Sequence, residues 1–314
     1  MRRFGFVRRR VLQSVPVALA VLLATFLLLK LVPGDPARAV AGPRATDEAV
    51  AVVREDLGLD QPVWVQFGRY LERVATGDLG SSTASRVPVS TIVRENAPVT
   101  VWLVIGGASM SVLLAVPAAL AAAAVRGRSL DRIVRAATLI GLTVPPFWIG
   151  LLLLEFAAVR TGWFPVGGWP DPWHERLRTI ALPSFTLGLA VAPLLVRSLR
   201  AAVIQVLAAD HVLAARAAGV SGLRLIRLFV LRNAMVPTVA LLATTVGYLL
   251  FGAVLVETVF GLPGLGQTMV QAAISRDFNL VQGLTLVFAL STVAVNLLGD
   301  IVLACLDPRI RVGR

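Results

Sequence analysis

The stretch LAARAAGVSGLRLIRLFVLRNAMVP, Leu213–Pro237, lies between two of the most apolar segments of the chain, yet it carries four arginines, a run of alanines and a central glycine. Such an insert leaves the membrane and returns to it, so the runs on either side decide the fold class. The chain has 314 residues, of which 57% are hydrophobic and only 15% charged, whereas soluble domains carry nearer a quarter charged residues. Apolar runs of about 20 residues, the length that crosses a bilayer as a helix, recur along it. The expected fold is all-α: a polytopic membrane protein with six transmembrane helices, at about 11–32, 98–125, 134–158, 179–199, 236–258 and 279–305.

The first run follows MRRFGFVRRR, and an Ala37–Ala39 stretch reading ARA has the form of a small-residue cleavage site. The run is nevertheless longer than the roughly 7–15 residues of a signal-peptide core, so it reads as a retained first span. Orientation follows from the arginines. With both termini cytoplasmic, the N-tail, 126–135, 197–235 and the C-tail hold 18 of the 30 Lys and Arg residues, against only Asp131, Asp210 and Asp307 and, in the last span, Asp300. This positive-inside bias accounts for the net charge of +12 and leaves no reason to invoke nucleic acid.

Residues 1–32 then form an N-tail with the first span, 33–97 an extracytoplasmic helical segment, and 98–314 a core of five spans that includes the cytoplasmic loop 208–237. Within 33–97, Thr46 is placed to cap a helix that has Asp47 and Glu48 in its first turn and ends near Gly58. After Pro62, Val63, Phe67, Tyr70, Leu71 and Val74 fall on one helical stripe, which needs an apolar surface at the membrane interface or on a partner. A second external segment, GWFPVGGWPDPWHERLR, is rich in Trp, Pro and Gly, and its tryptophans read as interfacial anchors.

Several chemistries have no support in the residues. The single Cys305 sits in an apolar run, and His174 and His211 are far apart, which argues against a disulfide or a metal cluster. No G-x-x-x-x-G-K-[ST] loop occurs and the sole lysine is Lys30, so the chain does not hydrolyse ATP by itself. No nucleophile–base set stands out. Charged groups inside spans are costly and mark candidate sites: Glu155, Glu257 and Asp300, the last sharing a helix face with Asn296. Glu155 and Asp300 read mainly as hydrated or structurally paired, whereas Glu257 reads equally as gate or as structure. Pro145 and Pro146 remove backbone donors in the third span and are expected to break or kink it.

The insert itself reads as two helices. The first, about 208–218, presents Ala214, Ala215 and Ala218 on one side with Ala217 adjacent, and Gly219 supplies the positive-φ stop. Ser221 is placed to cap a second helix bearing Arg224, Arg227 and Arg232, and Pro237 marks the start of the next span. A small-residue face of this kind fits a groove on another protein; a hairpin that merely connects two spans is the plainer alternative.

DHVLAARAAGVSGLRLIRLFVLRNAMVP resembles the cytoplasmic EAA loop of ATP-binding-cassette importer permeases of the dipeptide, oligopeptide and nickel type. Asp210, Ala215, Arg216, Ala217, Gly219, Arg232, Asn233, Ala234 and Pro237 match that pattern. His211, Leu213, Ala214 and Ala218 depart from it, and Leu213 stands where the wider superfamily has its glutamate. LVPGDPARAVAGPRAT, LGLDQPVWVQFGRYL, GDLGSS, LTVPPFWIGLLL, VETVFGLPGLG and LDPRIR are similar to the same family, in the same order.

The resemblance implies a type I importer permease fold, a homologous second permease subunit, two cytoplasmic ATPase subunits and an extracytoplasmic substrate-binding protein. ATP and Mg are then bound by the partner ATPases and no cofactor by this chain. Loop 208–237 becomes the coupling element, its short helix seated in an ATPase cleft, and Pro145, Pro146, Glu257 and Gly264 become candidates for the gate or pathway. Peptides are the expected cargo; nickel, glutathione or another small solute is the alternative. A self-contained secondary transporter would need an inverted repeat and charge-lined broken helices, and a membrane scaffold would need no ATPase; neither has a feature here that favours it.

Overall fold

An apolar run in lipid has no water to satisfy its peptide groups, so it closes into a helix. In the computed structural model of the chain, the long apolar runs are all helical. The structure describes residues 2–31, 36–42, 45–56 and 58–306. The side chains of Lys30 and Cys305, and most of the LDPRIR stretch, lie outside the described residues. The helices are α1 (Arg2–Leu31), α2 (Pro36–Ala41), α3 (Asp47–Asp56), α4 (Val63–Ala75), α5 (Val89–Ala124), α6 (Ser129–Thr143), α7 (Pro146–Leu153), α8 (Trp173–Leu207), α9 (Asp210–Ala217), α10 (Gly222–Leu225), α11 (Arg232–Phe260), α12 (Leu265–Ile274) and α13 (Phe278–Leu306).

Five of these helices, α1, α5, α8, α13 and the continuous 222–260 unit that contains α11, are long and apolar enough to cross a membrane. The third expected span is not one rod. α6 and the 146–160 segment meet at 99°, and together they count as a sixth span only if the bent pair is taken as one. The break falls where the sequence places it: Val144 is extended and Pro145 precedes Pro146 at the first position of α7, and a residue before proline is pushed out of the helical region. The second span also starts earlier than expected, because the helix begins directly after Pro88, whose ring cannot continue a helix backwards.

The core is centred on α8. Of its most apolar stretch 72% is buried, against 11% for α1, so α1 exposes leucines and valines to lipid whereas α8 is sheathed by protein. α5 lies along α8 through small residues. A methyl added at Gly107 would meet Leu187, and one at Gly188 would meet Met110 and the backbone of Gly107 and Ser111. Without a hydrophobic drive between helices in lipid, this close backbone approach is what supplies the packing attraction.

Within 33–97, α4 is tied to the bundle. Thr46 receives the Ala49 N–H as the cap of α3. The α4 stripe packs on its own chain: Phe67 and Tyr70 lie 5.4 Å and 5.7 Å from the Phe26 ring of α1, the Tyr70 hydroxyl is 3.1 Å from Thr25 Oγ1, and Leu286 of α13 completes the cluster. Val63, at the start of the stripe, is left exposed. α4 therefore uses α1 and α13 as the apolar surface it needs.

Candidate functional site

α9 is an eight-residue helix joined to α8 by Ala208 and Ala209. Its end is a Schellman motif: Gly219, at φ +83°, donates to Arg216 O and Val220 donates to Ala215 O. Only a residue comfortable at positive φ closes the helix this way. The alanine face divides differently from the expected one. Val212 and Ala215 are buried against the body of the protein, whereas Asp210, His211, Leu213, Ala214, Arg216, Ala217 and Ala218 are exposed. The exposed surface of α9 is thus small and weakly polar around Leu213, Ala214 and Ala217, and Ala215 belongs to the fold and not to that surface.

The second half of the hairpin also differs from expectation. Ser221 stands at the N-cap of α10 but makes no capping bond. α10 runs through a π-helical stretch, Ile226–Leu231, straight into α11, so Pro237 lies inside α11 and not at its entrance. Asn233 stitches the hairpin together: its Nδ2 donates to Phe229 O and lies 3.3 Å from His211 Nε2. Arg224, Arg227 and Arg232 are exposed. The structure thus brings Asn233 against α9 and leaves Arg232 and Pro237 on the outer side of the helix that returns to the membrane.

A residue that sequence reading treated only as a counter-charge holds the neighbouring turn. Asp131 of α6 is 1% exposed. Arg200 Nε and Nη2 reach it at 2.7 Å and 2.9 Å, and the Gly127 N–H at 2.9 Å. A lone acid among the four arginines of 126–135 was the available signal.

At the far end of α11, Glu257 is fully buried. Thr100 Oγ1 of α5 donates to it at 2.6 Å, and Gly266 and Gln267 N–H donate at 2.7 Å and 3.1 Å. Gly264 has no side chain because a Cβ there would overlap the Glu257 carboxylate. The Gly168 N–H donates to Gly261 O, so the Trp-rich loop rests on the same corner; Trp169 stacks under Arg176 while Trp163 and Trp173 stay exposed. Nearby, Asp277 is 1% exposed and accepts from Ser82 Oγ, Thr83 N and Oγ1, Ala84 N and Leu280 N. Burial raises the cost of its charge, but these donors outweigh it and hold the carboxyl below the usual carboxylate range. Glu155 and Asp300 are paired at partly exposed positions, with Arg160 at 2.9 Å and Arg10 at 3.3 Å.

The chain matches the family model described as binding-protein-dependent transport system inner membrane component over residues 115–312, and the model of the N-terminal part of such components over 1–105. It is 40% identical over 98% of its length to the glutathione transport system permease protein GsiC of Salmonella paratyphi A, 99% of which is covered. With the protein of that name from Escherichia coli strain K12 the identity is 38% over the same shares. Among solved structures, the MetNI methionine ABC transporter in inward-facing conformations matches with a TM-score of 0.56 at 17% identity, over 69% of this chain and 96% of that one, a likeness of fold. The chain belongs to the binding-protein-dependent transport system inner membrane components: it is a multi-pass inner-membrane permease subunit of an ATP-binding-cassette importer, not catalytic on its own.

Proposed function

We propose that this permease forms half of a pathway for glutathione or a short peptide of similar size and charge. The observation that carries the reading is the 40% identity, over 98% of the chain, to a glutathione transport system permease. Peptides in general, the first expectation from sequence, contain this cargo as a special case. A homologous second permease supplies the other half, two cytoplasmic ATPase subunits drive it, and an extracytoplasmic binding protein delivers the cargo. The hairpin 208–237 meets an ATPase through the exposed Leu213–Ala214–Ala217 surface of α9, whose small side chains permit close approach. The test is uptake of radiolabelled glutathione by proteoliposomes that carry the assembled importer with ATP in the lumen and its binding protein and the label outside. ATP-dependent uptake that unlabelled glutathione suppresses more strongly than a dialanine or Ni²⁺ competitor supports the reading. Absence of ATP-dependent uptake of the label, or uptake that dialanine or Ni²⁺ suppresses more strongly than unlabelled glutathione does, overturns it.

A further inference from the structure

We propose that the Asp131–Arg200 pair is a positioning element that transmits displacement of the α9 hairpin into α5, and through α5 to the Thr100–Glu257 corner at the other end. The inference rests on the reading of the hairpin as the ATPase-contacting element.

The geometry is a chain of rigid parts. Arg200 lies seven residues before the end of α8, so about 10 Å of helix separates it from the hairpin at the standard rise. α9 is fixed to that end of the body by its buried Val212 and Ala215. Arg200 grips Asp131 with two nitrogens, and a guanidinium fork of this kind sets orientation as well as distance. Asp131 in turn holds the Gly127 N–H in the turn between α5 and α6, and Arg135 stands 3.8 Å away on the exposed side. A movement of α8 therefore cannot leave the α5–α6 turn behind without breaking both bonds of the Arg200 fork to the buried Asp131 carboxylate. From that turn α5 runs as one helix back to Thr100, about 36 Å away at the same rise, where the Thr100 hydroxyl is bonded to Glu257 and to the Leu265 N–H. α6, anchored by the same aspartate, leads to the 99° bend.

A pair retained only as a staple has an apolar substitute, because a buried ion pair replaced by well-packed apolar side chains is commonly as stable or more so. A pair that fixes orientation has none. The assembled importer is therefore compared as wild type, D131L/R200M and R200K, by thermal unfolding and by the stimulation of ATP hydrolysis on adding the cognate binding protein as purified with its endogenous ligand. We expect D131L/R200M to unfold at the wild-type temperature, with the stimulated kcat down about tenfold and KM for ATP unchanged, the scale of a coupling free energy. R200K keeps the charge without the fork and is expected to lower the stimulated kcat as well. Wild-type stimulation in D131L/R200M overturns the proposal, and wild-type stimulation in R200K overturns it even where the apolar pair fails to assemble. Ala214→Trp, on the exposed face of α9, separates the two levels. If it uncouples while the pair variants do not, the proposal fails alone; if it too leaves stimulation intact, the hairpin reading fails and the proposal falls with it.

Discussion

Thr100 of α5 and Glu257 of α11, 157 residues apart in sequence, share a 2.6 Å hydrogen bond and between them take the first three N–H groups of α12, those of Leu265, Gly266 and Gln267. A helix start carries unpaired donors and a partial positive charge, and here both needs are met from two other helices in place of a local cap. The residue before α12, Gly264, is the point at which the carboxylate passes.

Thr100→Val keeps the side-chain shape but leaves the Leu265 N–H and one Glu257 oxygen unpaired in a buried site. Stranding such groups costs about 1–3 kcal/mol. The assembled importer carrying Thr100→Val is expected to unfold at a lower temperature than wild type, whereas Thr100→Ser, which retains the hydroxyl, stays close to it. Equal unfolding temperatures for the Val and Ser variants would show that the corner is held by packing alone.

Two glycines with contrasting surroundings test how tightly α5 and α8 are pressed together. A methyl on Gly188 would lie 3.0 Å from Gly107 O and Ser111 N, backbone atoms that cannot turn aside. Gly188→Ala is expected to cost about 1–3 kcal/mol, the scale of an overpacked core. Gly68, on the exposed side of α4, has nothing within 4 Å of its would-be Cβ. Gly68→Ala is expected to be neutral or stabilising by up to about 1 kcal/mol, through the ordinary helix preference. Thermal unfolding of the two variants in the same detergent reads the difference; a destabilisation by Gly68→Ala as large as that by Gly188→Ala would refute the contact account.

What sequence showed and what it concealed divide by range. Apolar run length placed the spans, Gly219 the end of α9, Thr46 the start of α3, and Pro145–Pro146 the break in the third span, because each of these is decided by a residue and its immediate neighbours. The 99° angle of that break is set by what α6 and α7 pack against, and no local pattern encodes it. The partnerships that hold the molecule together join residues 69, 157 and 195 positions apart, Asp131 with Arg200, Thr100 with Glu257 and Ser82 with Asp277. In one sequence such residues are only isolated polar groups near apolar runs. Ala215 shows the same limit at short range: spacing placed it beside Ala214 and Ala218, but which side of α9 faces the body depends on α8 and the π-helical stretch after α10.

Asp277 makes a pH-dependent contribution to stability. Its carboxyl is held below its ordinary value in the folded protein, so the stabilisation is complete above the unfolded carboxylate range and is lost as pH falls below about 4 and through the folded value. The loop 82–84 that donates to it is expected to resist limited proteolysis at neutral pH and to become susceptible in acid, with an acid-stable protease as the probe. Asp277→Asn is expected to be cleaved readily at neutral pH and to lose the acid transition. A variant cut at the wild-type rate at both pH values would mean that the loop is held by something else.

On α9 the two adjacent alanines should fail in different ways. Ala215 is buried and its carbonyl accepts the Val220 N–H in the closing turn, so Ala215→Leu overpacks the hairpin at a cost of about 1–3 kcal/mol and lowers the unfolding temperature of the importer. Ala214 faces outward, so Ala214→Trp leaves that temperature near wild type and instead blocks close approach of an ATPase, which is read as lost stimulation of ATP hydrolysis by the binding protein. Gly219→Ala lies between them. A Cβ there meets no atom within 4 Å, but the φ of +83° is strained for any residue with one, a penalty of about 1–2 kcal/mol paid in the geometry of the turn. Loss of stimulation in Ala215→Leu with no change in unfolding temperature, together with normal stimulation in Ala214→Trp, would reverse the assignment of the two faces and place the docking surface on the side that here packs against α8.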